Sequence, residues 1–191
     1  MGKTLQRVSW LWVNLMIVTP ESGRTHPETC EVPLEDPDLT LYVDGSHKYI
    51  QGTPHTGWAV VNGALETVLS GGMDGRIPAQ VAELTTLTEA LQLAEGKRAN
   101  IYTDSHYAFG VVHDYMTAWG RQGFVTSGGE AIKQEDRIRL LLHAASKPAQ
   151  AAVIKVKAHQ KVVDDIQRGN KAADKAAQEA AITSEAREES I

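Results

Sequence analysis

From Leu39 the chain alternates apolar and polar positions in a way that predicts strands. Leu39 to Val43 is a β-branched and aromatic run, and Gly57 to Val61 is a second. Asn62-Gly63 is a hairpin signal that delivers a third strand at Leu65 to Leu69, so the first three strands are expected to be antiparallel. The period then lengthens. Between Ile77 and Glu95 the apolar residues Leu84, Leu87, Leu91 and Ala94 recur at helical spacing, and Gly96 closes the segment. Asn100 to Thr103 reads as a short strand. Ser105 is placed as the N-cap of a helix carrying Tyr107, Ala108, Val111 and Val112. After a polar stretch from Gly120 to Gly129 come a helix around Ile132 to Ala145, a fifth strand from Ala151 to Lys157, and an alanine-rich helix from about Gln167 to Ala181. The order βββαβααβα predicts an α/β domain: a five-stranded mixed sheet flanked by helices.

The flanks differ. Residues 19–40 hold Pro20, Pro27, Pro33 and Pro37 and read as a linker. Lys3 and Arg7 precede an apolar stretch from Val8 to Val18, broken by Ser9 and Asn14. That outline resembles a secretory signal, but Thr19-Pro20-Glu21-Ser22-Gly23 offers no small-x-small cleavage site, so a packed or poorly ordered extension is the preferred expectation. The expected organisation is an extension and linker over residues 1–38, a domain over 39–183 and a charged tail over 184–191. A hydrophobic fraction of 42% suits a globular core. Cys30 is the single cysteine and closes no internal disulfide, which points to a reducing, intracellular compartment, cytoplasmic or nuclear. The net charge of −5 argues against a protein that coats nucleic acid by charge alone. No apolar run reaches the length of a membrane span.

Four acidic residues break the pattern. Asp44 and Asp104 follow the strand runs Leu41-Tyr42-Val43 and Ile101-Tyr102-Thr103. Glu83 shares a helical stripe with Leu87, Ala90 and Ala94; Asp174 shares one with Asn170, Ala177 and Ala181. Taken singly, Asp44-Gly45 is a turn signal and Asp104-Ser105 a strand end with a cap. Taken together, the two aspartates become neighbours if the first and fourth strands pair at the sheet centre, and the helix stripes reach the same point. Two carboxylates roughly 4 Å apart repel by about 4 kcal/mol at an effective dielectric near 20. Four in one place therefore call for cations, and an all-oxygen donor set selects Mg²⁺ or Mn²⁺ over zinc.

The strings YVDGS, AELTTLTEAL, YTDSHYAFGVVH, AHQK and RGNKAADKAA occur in this order. They closely resemble the ribonuclease H domain of retroviral reverse transcriptases, in its gammaretrovirus-like branch, over roughly Glu31 to Thr183. The resemblance implies a ribonuclease H-like fold with helices on both faces of the sheet. It also implies an endonuclease that hydrolyses the RNA strand of RNA–DNA hybrids with two Mg²⁺ ions, leaving 5′-phosphate and 3′-hydroxyl ends. Asp44, Glu83, Asp104 and Asp174 match the metal-binding quartet. His159 matches a family histidine on a mobile loop near the site, and Gln80, Ser105 and Asn170 match polar residues near the substrate or site. The implied partners are an RNA–DNA hybrid and a reverse-transcriptase-type polypeptide, and the start of the chain is what an endogenous retroviral fragment expressed alone would show. Three departures stand out: Ala158 where the family usually has Gly, Pro78 where Ser or Thr is common, and a basic protrusion reduced to Ala118-Trp119-Gly120-Arg121-Gln122-Gly123. They bear on affinity and substrate positioning, and they motivate an alternative in which the chain is a catalytically weak or inactive nucleic-acid-binding or interaction module.

Overall fold

A computed structural model describes residues 15–18, 33–112, 134–157 and 164–188. Its strands are β1 (Leu15–Val18), β2 (Leu39–Ile50), β3 (Thr53–Asn62), β4 (Thr67–Met73), β5 (Arg98–Thr103) and β6 (Gln150–Lys155). The helices are α1 (Ala79–Leu93), α2 (from residue 106, followed to 112), α3 (Glu135–Ala144) and α4 (Asp165–Glu188). From β2 onward the element order is the expected βββαβααβα. The five expected strands form a mixed sheet, and a sixth is added at its edge: the spatial order is β1-β6-β5-β2-β3-β4. The addition comes from the N-terminal extension, whose Leu15 to Val18 run parallel to Ala151 to Ile154.

The hairpin joining β2 to β3 differs from the sequence reading. The first strand does not stop at Val43 but runs to Ile50, and β3 begins at Thr53. Gln51 and Gly52 both take positive φ, 51° and 80°, which is the two-residue turn whose twist suits paired strands. The third strand also starts later than expected. Asn62 does not initiate a two-residue turn; its Oδ1 accepts from the backbone of Ala64 and Glu66 at 3.0 Å each, and Leu65 takes the positive φ. This wider loop delays β4 to Thr67.

Successive residues of a strand face opposite sides, so the sheet carries two cores. On one side Leu41, Val43, Val60, Ile101 and Val153 pack against Leu84, Leu87 and Leu91 of α1, Ala108 and Val112 of α2, and Ile138 and Leu141 of α3. Full burial of each leucine contributes roughly 1.5–3 kcal/mol. On the other side Tyr42, Ala59, Val61, Tyr102 and Ile154 pack against Ala173, Ala176 and Ala177 of α4. The alanine stripe lets α4 lie close to the sheet, and Gly57 completes the fit. A Cβ there would stand 2.3 Å from the Ala181 nitrogen and 2.5 Å from the Ala177 oxygen.

Gly57→Ala therefore pushes a helix backbone away from a strand. Overpacking of this kind typically costs about 1–3 kcal/mol, and each kcal/mol lowers Tm by about 2–4 °C in a domain of this size. Thermal melting followed by circular dichroism should show that drop; an unchanged Tm would mean that α4 does not rest on Gly57.

Candidate active site

β2 pairs with β5 in parallel from Leu39↔Ala99 to Val43↔Thr103, and the ladder stops there. Asp44 and Asp104 are the residues that follow the last parallel pair, which makes them neighbours where the two central strands part. That is where open α/β sheets commonly bind ligands. Asp44 is only 6% exposed. It does not terminate its strand, because β2 continues beside β3 with Asp44 opposite Ala59.

Glu83 approaches because α1 crosses β2 at a glycine. A Cβ on Gly45 would fall 2.7 Å from the Glu83 nitrogen and 2.9 Å from the Ala82 carbonyl carbon, so any larger residue would drive the helix off. Ser105 caps α2, its Oγ accepting from the Ala108 N–H at 3.0 Å, and the same hydroxyl donates a short hydrogen bond to Glu83 Oε2. Asp174 enters from the other face on α4. Asn170, one turn earlier on that helix, donates from Nδ2 to Asp104 Oδ2 at 3.2 Å. Four separate elements thus bring Asp44, Glu83, Asp104 and Asp174 to one end of the sheet.

Their electrostatics follow from the crowding. Burial pushes the Asp44 carboxyl up to about 9, helped by the charges of Asp104 and Asp174 and, more weakly, Glu83; only the Gly45 N–H, 2.9 Å from Asp44 Oδ1, pulls the other way. Burial also raises the Glu83 carboxyl, opposed by the Ser105 hydrogen bond and by Lys155, while Asp104 raises it further. The Lys155 ammonium donates to the carbonyl oxygens of Asp104 (2.6 Å) and Val156 (3.0 Å), tying down the main chain at the site. Burial lowers its proton affinity, and Asp104 and Glu83 restore part of it.

This donor set fits a hard divalent cation: it is all oxygen, half-buried to buried, and short of positive charge. Among the described residues no three His, Cys, Asp or Glu side chains are already disposed to hold an ion. The quartet shares a field and not a finished cage.

Gln80, by contrast, is exposed near the start of α1, and Ser105 and Asn170 are buried with their side chains turned to Glu83 and Asp104. His159, Cys30 and the 118–123 segment lie outside the described residues. Three basic residues of the later helices are engaged in ion pairs: Arg139 with Glu135, Arg168 with Asp165 and Lys175 with Glu179, each on its own helix. Lys48 and Gln178 were not singled out by the sequence. Lys155 carried a signal, a charge inside the apolar run Ala151 to Val156, and Gln178 a weaker one, its i+4 spacing from Asp174. Among the described residues no helix is long and apolar enough to cross a membrane.

A mixed sheet with helices on both faces, carrying a carboxylate cluster at the ends of its central parallel strands, defines an α/β domain of the ribonuclease H-like class. The chain belongs to the RNase H family, whose profile matches residues 36–182, and it is a domain of the retroviral type. It is 44% identical over 168 residues to the Gag-Pol polyprotein of Walleye dermal sarcoma virus, covering 86% of this chain and 9% of that protein. It is 40% identical over 165 residues to the Pol polyprotein of Radiation murine leukemia virus (strain Kaplan), covering 86% and 28% respectively. The chain thus spans less than a third of the length of these relatives. Its fold matches the solution structure of the PFV RNase H domain with a TM-score of 0.66 at 21% identity, over 78% of this chain and 97% of that one. It also matches the foamy viral protease-reverse transcriptase in complex with RNA/DNA hybrid, with a TM-score of 0.68 at 19% identity, over 85% and 22%.

The raised Asp44 carboxyl has a measurable consequence. An acid whose folded pKa (about 9) exceeds its unfolded value of 3.8 destabilises the fold as pH rises through that window, because the unfolded chain releases the proton more readily. Below 3.8 the two states are equal in this respect. At neutral pH and without divalent ions, Asp44→Asn should therefore raise Tm, by about 2–4 °C for each kcal/mol relieved, and the gain should vanish near pH 4. A lower Tm at neutral pH would make Asp44 a structural residue.

Proposed function

We propose that the chain is a divalent-metal-dependent endonuclease that hydrolyses the RNA strand of RNA–DNA hybrids. One observation carries this reading: in a chain of the RNase H family, four elements deliver four carboxylates to one end of the sheet, a concentration of charge that bound divalent cations would relieve. Asp44, Glu83, Asp104 and Asp174 are assigned as metal ligands. Two Mg²⁺ ions bound there, or Mn²⁺ in their place, would supply Lewis-acid activation of water and stabilise the leaving 3′ oxygen.

The chain's own residues prepare that site. Asn170 steadies the Asp104 carboxylate, Ser105 steadies Glu83, and Lys155 fixes the Asp104 main chain. Gln80, Ser105 and Asn170 are also assigned to the substrate side, and His159 to proton movement or product departure. Strand choice is assigned to 2′-hydroxyl contacts across the wide minor groove of the hybrid, not to base reading. The foamy viral relative solved with an RNA/DNA hybrid supports the substrate class. An intracellular setting and a reverse-transcriptase-type partner belong to the same proposal.

A second reading, a hybrid-binding module with negligible turnover, is motivated by Pro78 and the reduced basic sequence Ala118-Trp119-Gly120-Arg121-Gln122-Gly123. Hybrid binding without Mg²⁺-dependent cleavage by the purified chain would select it.

Asp104→Asn is the decisive variant. It keeps shape but removes a ligand charge, so cleavage of a labelled hybrid in Mg²⁺ should fall at least about 10²-fold, with the circular dichroism spectrum and hybrid binding retained. Near-normal cleavage by this variant would sink the assignment. His159→Ala should slow turnover by about 10²-fold, in the range of a lost proton-transfer group, without abolishing it. Unchanged single-turnover and steady-state rates would reduce His159 to a surface residue.

A further inference from the structure

Asp174 is tied into a line of two hydrogen bonds. Gln178, one turn later on α4, donates from Nε2 to Asp174 Oδ1 at 2.9 Å, while its Oε1 accepts from the Lys48 ammonium. An ammonium offers only donors and a carboxylate only acceptors. The Gln178 amide is thus fixed at both ends: turning it over would face its oxygen to a carboxylate and its NH₂ to an ammonium. Lys48 lies on β2 beyond Asp44, and residues an even number apart on a strand share a face. The face of β2 that presents Asp44 toward Asp174 therefore also presents Lys48 toward Gln178.

We propose that Lys48 and Gln178 form a relay that holds the Asp174 carboxylate in position for divalent-cation binding. Both are positioning residues, and the inference rests on Asp174 being a metal ligand. Lys48 fixes the amide, and the amide occupies one carboxylate oxygen and fixes the plane of the other. Groups that orient metal ligands in this way commonly change metal affinity by about 10–100-fold when removed.

The sign of the Lys48 effect separates the relay from a simple field. Removing a positive charge near a cation site should strengthen cation binding by Coulomb's law. The relay requires the opposite, since loss of Lys48 frees the amide and loosens Asp174.

The test is a calorimetric titration of the full chain with Mg²⁺ alone, without nucleic acid, beside thermal melts that confirm folding of each variant. Gln178→Ala should weaken Mg²⁺ binding by about 10-fold. Lys48→Met, at an exposed position that touches Asp174 only through Gln178, should weaken it in the same direction, and Lys48→Arg should restore it. The double variant should bind no worse than Gln178→Ala alone, because both act through one contact. Asp174→Asn is the control and should lose most of the binding. If Asp174→Asn loses binding while Gln178→Ala does not, or if Lys48→Met binds Mg²⁺ more tightly than the native chain, the relay is overturned and Asp174 stands. If Asp174→Asn binds as the native chain does, both the ligand assignment and the relay fall.

Discussion

Asp44 is 6% exposed, and the carboxylates of Asp104, Asp174 and Glu83 are close enough to raise its proton affinity. Mutual repulsion among these four groups is the constraint to which the surrounding structure answers. Without cations, burial and these neighbouring charges favour the protonated form of Asp44, which ties the state of the site to pH. The local rules that govern the rest of the sheet are broken there: a carboxylate occupies a buried strand position, and a glycine stands next to it within the strand so that a helix backbone can come close. Local conflicts of this kind are expected where function, not stability, selects the residue.

Packing elsewhere supplies what the cluster costs. Two separate cores clamp β2 between α1 on one face and α4 on the other. Neither helix could reach the strand ends without small residues beneath it, Gly45 under α1 and Gly57 with the alanine stripe under α4. The same close approach that stabilises the fold brings Glu83 and Asp174 to the aspartates. Around them, hydrogen bonds from Ser105, Asn170 and Gln178 limit how Glu83, Asp104 and Asp174 turn, and Lys155 holds the Asp104 main chain.

Much of this was legible in the sequence. The run of three strands, the helix with period-3.6 leucines and the ordered acidic motifs predict the architecture, and the parallel pairing of β2 with β5 makes Asp44 and Asp104 neighbours. What escaped has physical reasons. Strand β2 reads as ending at Asp44 because Asp-Gly is a turn signal, yet pairing with β3 carries it on to Ile50. The positive φ at Gln51 and Leu65 is a tertiary outcome that neither side chain favours. The edge strand Leu15–Val18 depends on a free edge of β6, which no local pattern announces. Lys48 and Gln178 are 130 residues apart, so their contact exists only once α4 lies on the sheet.

The claim beneath this account is that the acidic cluster is held in a state that divalent cations relieve. NMR titration of the Asp44 carboxyl carbon in the full chain tests it directly. Without divalent ions the carboxyl should titrate near 9, and saturating Mg²⁺ should bring it down into the ordinary carboxylate range. An Asp44 that titrates as an ordinary aspartate without metal, and does not move when Mg²⁺ is added, would contradict the account.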